Sequence, residues 1–309
     1  MSASGEQAAV VNRGVNREVD ERKAKYRALR SVFETPILDD YKWAKIPAIP
    51  ADMFFLDLED SVAASRKDEA RERAVQYLKD PSFFGDRPTL ARPNHLSTPW
   101  GHDDVIAFAE AGVECMAYPK IGSLEELLEV LELLEKHGAT PDIFAIIETA
   151  GSMVDLREIS RHPQVVSLMF GPGDLSVDMN VPLLEPDGAL NRVFEPMMTQ
   201  VVTAATAARI GCVDIVYAPD YRDLDEIRRR ARGIAQYGFT TMSAFYPPHV
   251  PIIHEVLTPT EDAVAQAREI VELYRGVLAE GKPAALSASG ETILVHDYEK
   301  ALSVLAKAR

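Results

Sequence analysis

The chain has 309 residues, 47% of them hydrophobic, with 48 acidic residues against 33 Lys and Arg and a formal net charge of −15. That length suits one large domain or two ordinary ones, and the composition supplies enough apolar residues for a sizeable core. The acidic balance argues against nonspecific binding to nucleic acid or to an anionic membrane, while leaving room for a local basic pocket.

The N-terminal stretch MSASGEQAAVVNRGVNREVDERKAK is mixed in charge and lacks an apolar signal core, so residues 1–29 read as an N-terminal arm. No run of 18 apolar residues follows, and no membrane span is expected. Cys115 and Cys212 lie far apart in apolar contexts and read as buried thiols in a reducing compartment. The expected location is the cytoplasm.

From residue 30 onward, β-rich runs alternate with helical patterns. The runs are SVFET (31–35), MFFLD (53–57), TLAR (89–92), CMAY (115–118), IFAII (143–147), VVSLMF (165–170), VDIVY (213–217) and TTMSA (240–244). Between them, KDEARERAVQYL (67–78), SLEELLEVLELLEKHG (123–138) and RDLDEIRRRARGIAQYG (222–238) repeat apolar residues at three and four, the period of an amphipathic helix. Ser123 and Glu126 have capping-box spacing, and Gly138 and Gly238 stand where a helix C-terminus favours positive φ. Strands alternating with helices imply a parallel sheet with crossover helices. Eight such units in about 250 residues is the size of a closed (β/α)8 TIM barrel. An open doubly wound sheet is the alternative, but it would usually carry a Gly-rich turn after its first strand, where this chain has PILDD. The segment 259–281 reads as one further helix, and the tail after it carries its own short helix. The expected organisation is therefore an arm (1–29), a TIM-barrel catalytic domain (30–281) and a C-terminal helical extension (282–309).

Active sites of such barrels lie at the C-terminal ends of the strands. The second strand ends in Asp57, Glu59 and Asp60, the third in Arg92, the fourth in Lys120, the fifth in Glu148 and the sixth in Asp174 within FGPGDLS. Glu148 and Asp174 come from neighbouring strands, and two carboxylates completed by waters and substrate oxygens suit octahedral Mg2+. Arg92 has the planar fork to hold a carboxylate. Gly171 and Gly173 would let the backbone approach a ligand closely. The histidines are scattered, with no zinc spacing. The pattern implies a metal-assisted site for a small anionic substrate without fixing the reaction.

LDLEDSVAASRKDEAR, RPNHLSTPWGHDD, YPKIGS, IIETAGS and FGPGDLSVDM occur in this order at the strand ends. As a set they resemble the citrate lyase β-subunit and malyl-CoA lyase group of divalent-metal carbon–carbon lyases, over about residues 30–260. The resemblance implies a TIM barrel with a C-terminal extension, assembled as a homotrimer or homohexamer. It implies Mg2+, with Mn2+ as a substitute, and coenzyme A as part of the substrate. The implied chemistry is cleavage or formation of a 3-hydroxyacyl-CoA thioester such as malyl-, citramalyl- or citryl-CoA, giving acetyl-CoA and an oxo acid. Carried across, Glu148 and Asp174 match the metal ligands, and Arg92 matches the residue on the oxo-acid or thioester oxygen. Arg30 matches an arginine facing the CoA phosphates, and Lys45 falls where a CoA-side lysine is found. Glu59 and Asp60 would support the metal waters and the substrate arginine.

The chain departs from the pattern in its tail. Family members commonly place an acid/base Asp, contributed from a neighbouring subunit, where this sequence has Leu294; His296 and Asp297 lie two and three residues further on. The loop after the eighth strand reads AFYPPHV in place of an I-H-P sequence. Proton transfer is therefore expected from Asp60 or Asp297. Two other readings stay open. One is a metal-dependent aldolase on free 2-oxo acids such as pyruvate, a branch whose base falls near Asp60. The other is a catalytically silent assembly subunit, motivated by Leu294.

Overall fold

A computed structural model describes residues 21–287 and 290–308; most of the expected N-terminal arm lies outside them. The chain divides into a barrel unit, Glu21–Val256, and a C-terminal unit beginning at Leu257.

In the barrel unit, α1 (Glu21–Arg27) leads into β1 (Ser31–Glu34), and α2 (Asp40–Trp43) lies in the connection to β2 (Met53–Asp57). Then come α3 (Lys67–Lys79), β3 (Thr89–Arg92), α4 (Gly101–Glu110), β4 (Cys115–Tyr118), α5 (Leu124–Lys136) and β5 (Asp142–Ile147). They are followed by α6 (Ala150–Val154), α7 (Leu156–Arg161), β6 (Val165–Phe170), α8 (Pro172–Asp178) and α9 (Glu195–Ala208). The unit ends with β7 (Gly211–Ile215), α10 (Leu224–Tyr237), β8 (Thr241–Ala244) and α11 (His249–Leu257). The eight strands are parallel and close in chain order, β8 pairing back onto β1 from Ser31–Met242 to Phe33–Ala244. This is the expected (β/α)8 barrel.

The strands are short and buried on both faces, as parallel strands covered by helices must be. Val32, Met53, Phe55, Leu90, Phe144 and Ile146 belong to one buried cluster. Side chains two residues apart on a strand share a face. Glu34, Asp57, Arg92 and Glu148 therefore continue the rows begun by Val32, Phe55, Leu90 and Ile146, and arrive together at the C-terminal mouth. Cys115 and Cys212 are free, buried thiols.

β7 begins at Gly211, two residues before the sequence reading placed it. Glycine reads as a break in a strand pattern, but here it gives room: a Cβ at Gly211 would lie 2.9 Å from Ser167 Oγ on the paired strand. Gly138 and Gly238 do adopt positive φ, 81° and 101°. The capping box at α5 forms only in half. Ser123 Oγ accepts the Glu126 N–H at 3.3 Å, while the Glu126 carboxylate accepts the Gly122 N–H at 2.6 Å.

The C-terminal unit contains α12 (Glu261–Ala279), a hairpin of β9 (Ala285–Leu286) with β10 (Thr292–Ile293), and α13 (Val295–Lys307). Ala267 and Val271 of α12 pack against Ala301 of α13. Among the described residues no helix is long and apolar enough to cross a membrane.

Candidate active site

Asp57, last residue of β2, is buried and organises the turn after it. Its Oδ1 accepts the Glu59 N–H at 2.8 Å and Arg92 Nε at 2.7 Å, and Oδ2 accepts the Ser61 N–H at 3.0 Å. Burial alone would push the Asp57 carboxyl up, but the Arg92 guanidinium outweighs it and holds the group at about 2. Burial likewise works against the charge on Arg92; Asp57, Glu59 and Glu34 reverse that and raise its pKa further. An arginine fixed this way presents positive charge without needing to reorganise.

Glu59 is also buried, and Lys120 Nζ meets its Oε1 at 2.5 Å. Oε2 of Glu59 accepts no hydrogen bond among the described residues, although Arg92 Nη1 stands 3.3 Å away. Burial raises the Glu59 pKa against the pull of Arg92 and Lys120. Lys120 itself adopts φ 49° and sits 3.7 Å from Asp60 and 3.8 Å from Asp174. Burial opposes its charge, but Glu59 and the neighbouring acids push it up to about 12. Asp60 is the exposed member of the turn, its side chain 61% accessible.

Glu148 emerges from β5, buried, with Oε1 accepting the Lys120 N–H at 2.7 Å. Burial raises its pKa well above the carboxylate range, and the charges of Glu59 and Asp174 add to that. Asp174 lies in the first turn of α8, with its side chain 40% accessible. Gly171 is needed where it stands, because a Cβ there would come within 2.8 Å of Glu148 Oε2. At Gly173 an added Cβ would meet nothing within 4 Å.

Behind these residues lies a frame that the sequence reading did not identify. Lys67 Nζ donates to the carbonyls of Leu58 and Glu59 at 2.7 and 2.6 Å, which fixes the turn carrying Glu59. Asn94 Nδ2 donates to Leu58 O and to the buried Asp104, which also pairs with Arg71 at 3.2 Å. Thr149 Oγ1 donates to Ile121 O, and Gly151 packs so closely on the same loop that a Cβ would lie 2.0 Å from Gly122 O. These contacts hold the loops after β4 and β5 together, so that Lys120 and Glu148 meet.

A cavity of about 760 Å³ opens at this mouth, and Asp57, Asp60, Arg92, Glu148, Gly171, Gly173 and Asp174 all line it. So do four acids missed in the sequence, Glu34 and Asp214 on the strands and Glu195 and Glu226 on α9 and α10. Burial raises the pKa of Glu34 against the pull of Arg92, and burial carries Asp214 up to about 7. Glu34 was findable, since it closes the first strand in phase with Val32. Asp214 announces itself only as an acid inside an apolar strand.

The other anticipated residues lie elsewhere. Arg30 stands at the opposite, N-terminal end of β1, where its N–H, Nε and Nη2 bond Asp52 at 2.7, 3.2 and 3.0 Å. Lys45 is exposed in the β1–β2 connection, with Nζ 3.6 Å from the centre of the Tyr41 ring. Asp297 belongs to the C-terminal unit, where Oδ2 accepts the Leu294 N–H at 2.9 Å at the start of α13.

Among the described residues no group of three or more His, Cys, Asp or Glu side chains is arranged to hold a metal. Two carboxylates are enough for Mg2+, which keeps several waters and takes hard oxygen donors. Burial and the acids around Glu148 disfavour its charged form, a cost that a bound cation would offset, and Asp174 offers an accessible second oxygen donor. The side chains present therefore fit a divalent cation.

Residues 35–247 match the HpcH/HpaI aldolase/citrate lyase family. The chain is 27% identical over 281 residues to (3S)-malyl-CoA thioesterase of Cereibacter sphaeroides, covering 90% of this chain and 94% of that protein. It is 26% identical over 302 residues to citrate lyase subunit beta of Escherichia coli, covering 95% and 97%. The crystal structure of CitE from Mycobacterium tuberculosis in complex with magnesium, acetoacetate and coenzyme A matches with a TM-score of 0.75 at 25% identity, covering 91% of this chain and 99% of that one.

Proposed function

The chain belongs to the HpcH/HpaI aldolase/citrate lyase family, and from that premise we propose that it is a Mg2+-dependent carbon–carbon lyase acting on a 3-hydroxyacyl-CoA thioester such as malyl-, citramalyl- or citryl-CoA. The observation that carries this reading is the meeting of Glu148, Asp174, Lys120, Glu59 and the Asp57-held Arg92 at one barrel mouth. Glu148 and Asp174 would hold the cation, Mg2+ or in its place Mn2+. When bound, the cation supplies Lewis-acid stabilisation of negative oxygen on the oxo-acid half of the substrate.

The chain's own side chains supply the rest. Arg92, locked by Asp57, offers a fixed charge to the oxygen that becomes anionic as the carbon–carbon bond breaks. Lys120 balances Glu59 and keeps the acidic rim from repelling an anionic substrate. Asp60 lines the cavity from an exposed position and is assigned the proton transfer at the acetyl carbon; Asp297 of a neighbouring copy is the other candidate. A homotrimer or homohexamer in the cytoplasm accompanies this reading, and light scattering measures the oligomer.

The test is a product assay on malyl-, citramalyl- and citryl-CoA, with Mg2+ and with chelator. Metal-dependent release of acetyl-CoA together with an oxo acid supports the lyase. Release of free CoA with the carbon skeleton intact would mean thioester hydrolysis instead. A second reading, an aldolase on free 2-oxo acids, is favoured by one observation: Arg30, the residue expected to face the CoA phosphates, is at the far end of the barrel. It predicts exchange of the pyruvate methyl protons in heavy water without any CoA.

A further inference from the structure

The cavity is larger than the chemistry at the mouth requires. About 760 Å³ lies within the range of drug-sized ligand sites, roughly 300–1,000 Å³. A small oxo acid on Glu148 and Asp174, together with the acetyl end of the thioester beside it, would fill only part of it. The remaining volume is a side arm lined by residues of β6, β7, α9 and α10, with Glu195, Glu226 and Arg230 among otherwise mostly apolar side chains. Phe170, Met198, Ile234 and Tyr237 line its walls. Leu183, Leu184 and Leu190 cover it from the loop before α9, where Leu184 bridges Leu190 and the Asn191 N–H donates to Leu183 O at 2.9 Å. Arg230 pins this loop to α10, donating to Gly188 O at 2.7 Å and to Glu226 at 2.5 Å, so its charge is already engaged. Asp214 is the buried acid on the arm's lining, and its burial favours the uncharged form.

A second observation marks the arm as open by construction. Gly233 sits in the interior of α10, where glycine destabilises a helix relative to alanine. Its φ is not in the left-handed region, and a Cβ there would meet nothing within 4 Å. Neither backbone geometry nor close packing calls for glycine. Gly233 lines the cavity, so any side chain at this position would take up space in the arm.

We propose that this arm is the subsite for an aliphatic chain on the oxo-acid half of the substrate, so that the preferred substrates carry several carbons where pyruvate carries a methyl group. The proposal rests on the reading of Glu148 and Asp174 as the place where the oxo-acid end is held. Isothermal titration of the full chain with Mg2+ tests it, using straight-chain 2-oxo acids from pyruvate to 2-oxooctanoate. Affinity should rise roughly fourfold per added methylene while the arm fills. Gly233→Leu should abolish that gain and leave pyruvate affinity within about twofold of wild type, the result expected when apolar burial is blocked only in the arm. Gly233→Ala, which adds one methyl group to open space, should keep most of the gain and raise the melting temperature. If pyruvate binds with Mg2+ but longer chains bind no better, or if Gly233→Leu preserves the gain, the arm is not a substrate subsite. If no 2-oxo acid binds with or without Mg2+, the reading of the mouth falls first and the subsite falls with it.

Discussion

Replacing Asp57 by Asn removes the charge that holds Arg92 while nearly preserving shape. In the folded chain the Asp57 carboxyl sits at about 2, against 3.8 for an unperturbed aspartate. At about 1.4 kcal/mol for each tenfold change in proton affinity, that gap contributes about 2.5 kcal/mol of stability. Because the folded value is depressed, the contribution is present above about pH 4 and is lost as pH falls through 2. The substitution also strands a buried guanidinium, for which breaking a buried pair costs about 3–5 kcal/mol. Glu59, 3.3 Å from Arg92, relieves part of this cost. The expected loss at pH 7 is therefore about 2–4 kcal/mol, measured by urea titration with Trp43 and Trp100 as fluorescent reporters. Arg92→Met should cost a similar amount, because it leaves Asp57 buried without its cation, while Glu59 keeps Lys120. The double substitution Asp57→Asn with Arg92→Met should be more stable than the sum of the two predicts, by at least about 2 kcal/mol. Coupling below about 0.5 kcal/mol would refute the reasoning, since it would mean that the two groups act independently.

Asp214→Asn should change the pH dependence of stability. The folded Asp214 sits at about 7 against 3.8 unperturbed, so its contribution is full below about pH 4 and declines as pH rises to 7. Asparagine keeps an oxygen for the Ile215 N–H, and the variant should gain about 2–3 kcal/mol relative to wild type between pH 5 and pH 8. Parallel unfolding profiles would contradict this. Lys67→Met deletes two charged hydrogen bonds to the Leu58–Glu59 turn and should cost about 2–4 kcal/mol, with turnover falling as Glu59 loosens. Urea titration and steady-state kinetics read both effects, and no change in either would mean that the turn is held elsewhere. Gly151→Ala places a Cβ 2.0 Å from Gly122 O and should destabilise by at least about 2 kcal/mol. It should also weaken Mn2+ binding, because the loops it separates carry Lys120 and Glu148; a melting temperature equal to wild type would show that the loops part freely.

What the sequence made legible was set by periodicity. All eight strands stand within two residues of where alternating apolar runs put them, because each is buried on both faces and carries little else. The acids of LDLEDSV fall at the barrel mouth for the same reason: they follow a buried strand, and Asp57 keeps the phase of Met53 and Phe55. Their division of labour was not legible. Asp57 anchors Arg92, Glu59 pairs with Lys120, and Asp60 reaches solvent, distinctions made by contacts across three strands. Lys67, Asn94 and Asp104 were hidden because their partners are backbone carbonyls or residues on other segments, which no local pattern reveals. Arg30 stands at the start of β1, as the resemblance placed it, and in a parallel barrel that is the end away from the mouth. The side arm was invisible, since it exists only where Gly233, Met198 and the leucines of a loop come together.

The most direct measurement is a calorimetric titration of Mn2+ into the metal-stripped chain, repeated with Glu148→Gln and with Asp174→Asn. One divalent ion per chain should bind to wild type. Each variant should bind at least about tenfold more weakly, since even outer partners of a metal are worth that much. Wild-type affinity retained in both variants would contradict the assignment, because the ion would then be held by residues other than the carboxylates at the ends of β5 and β6.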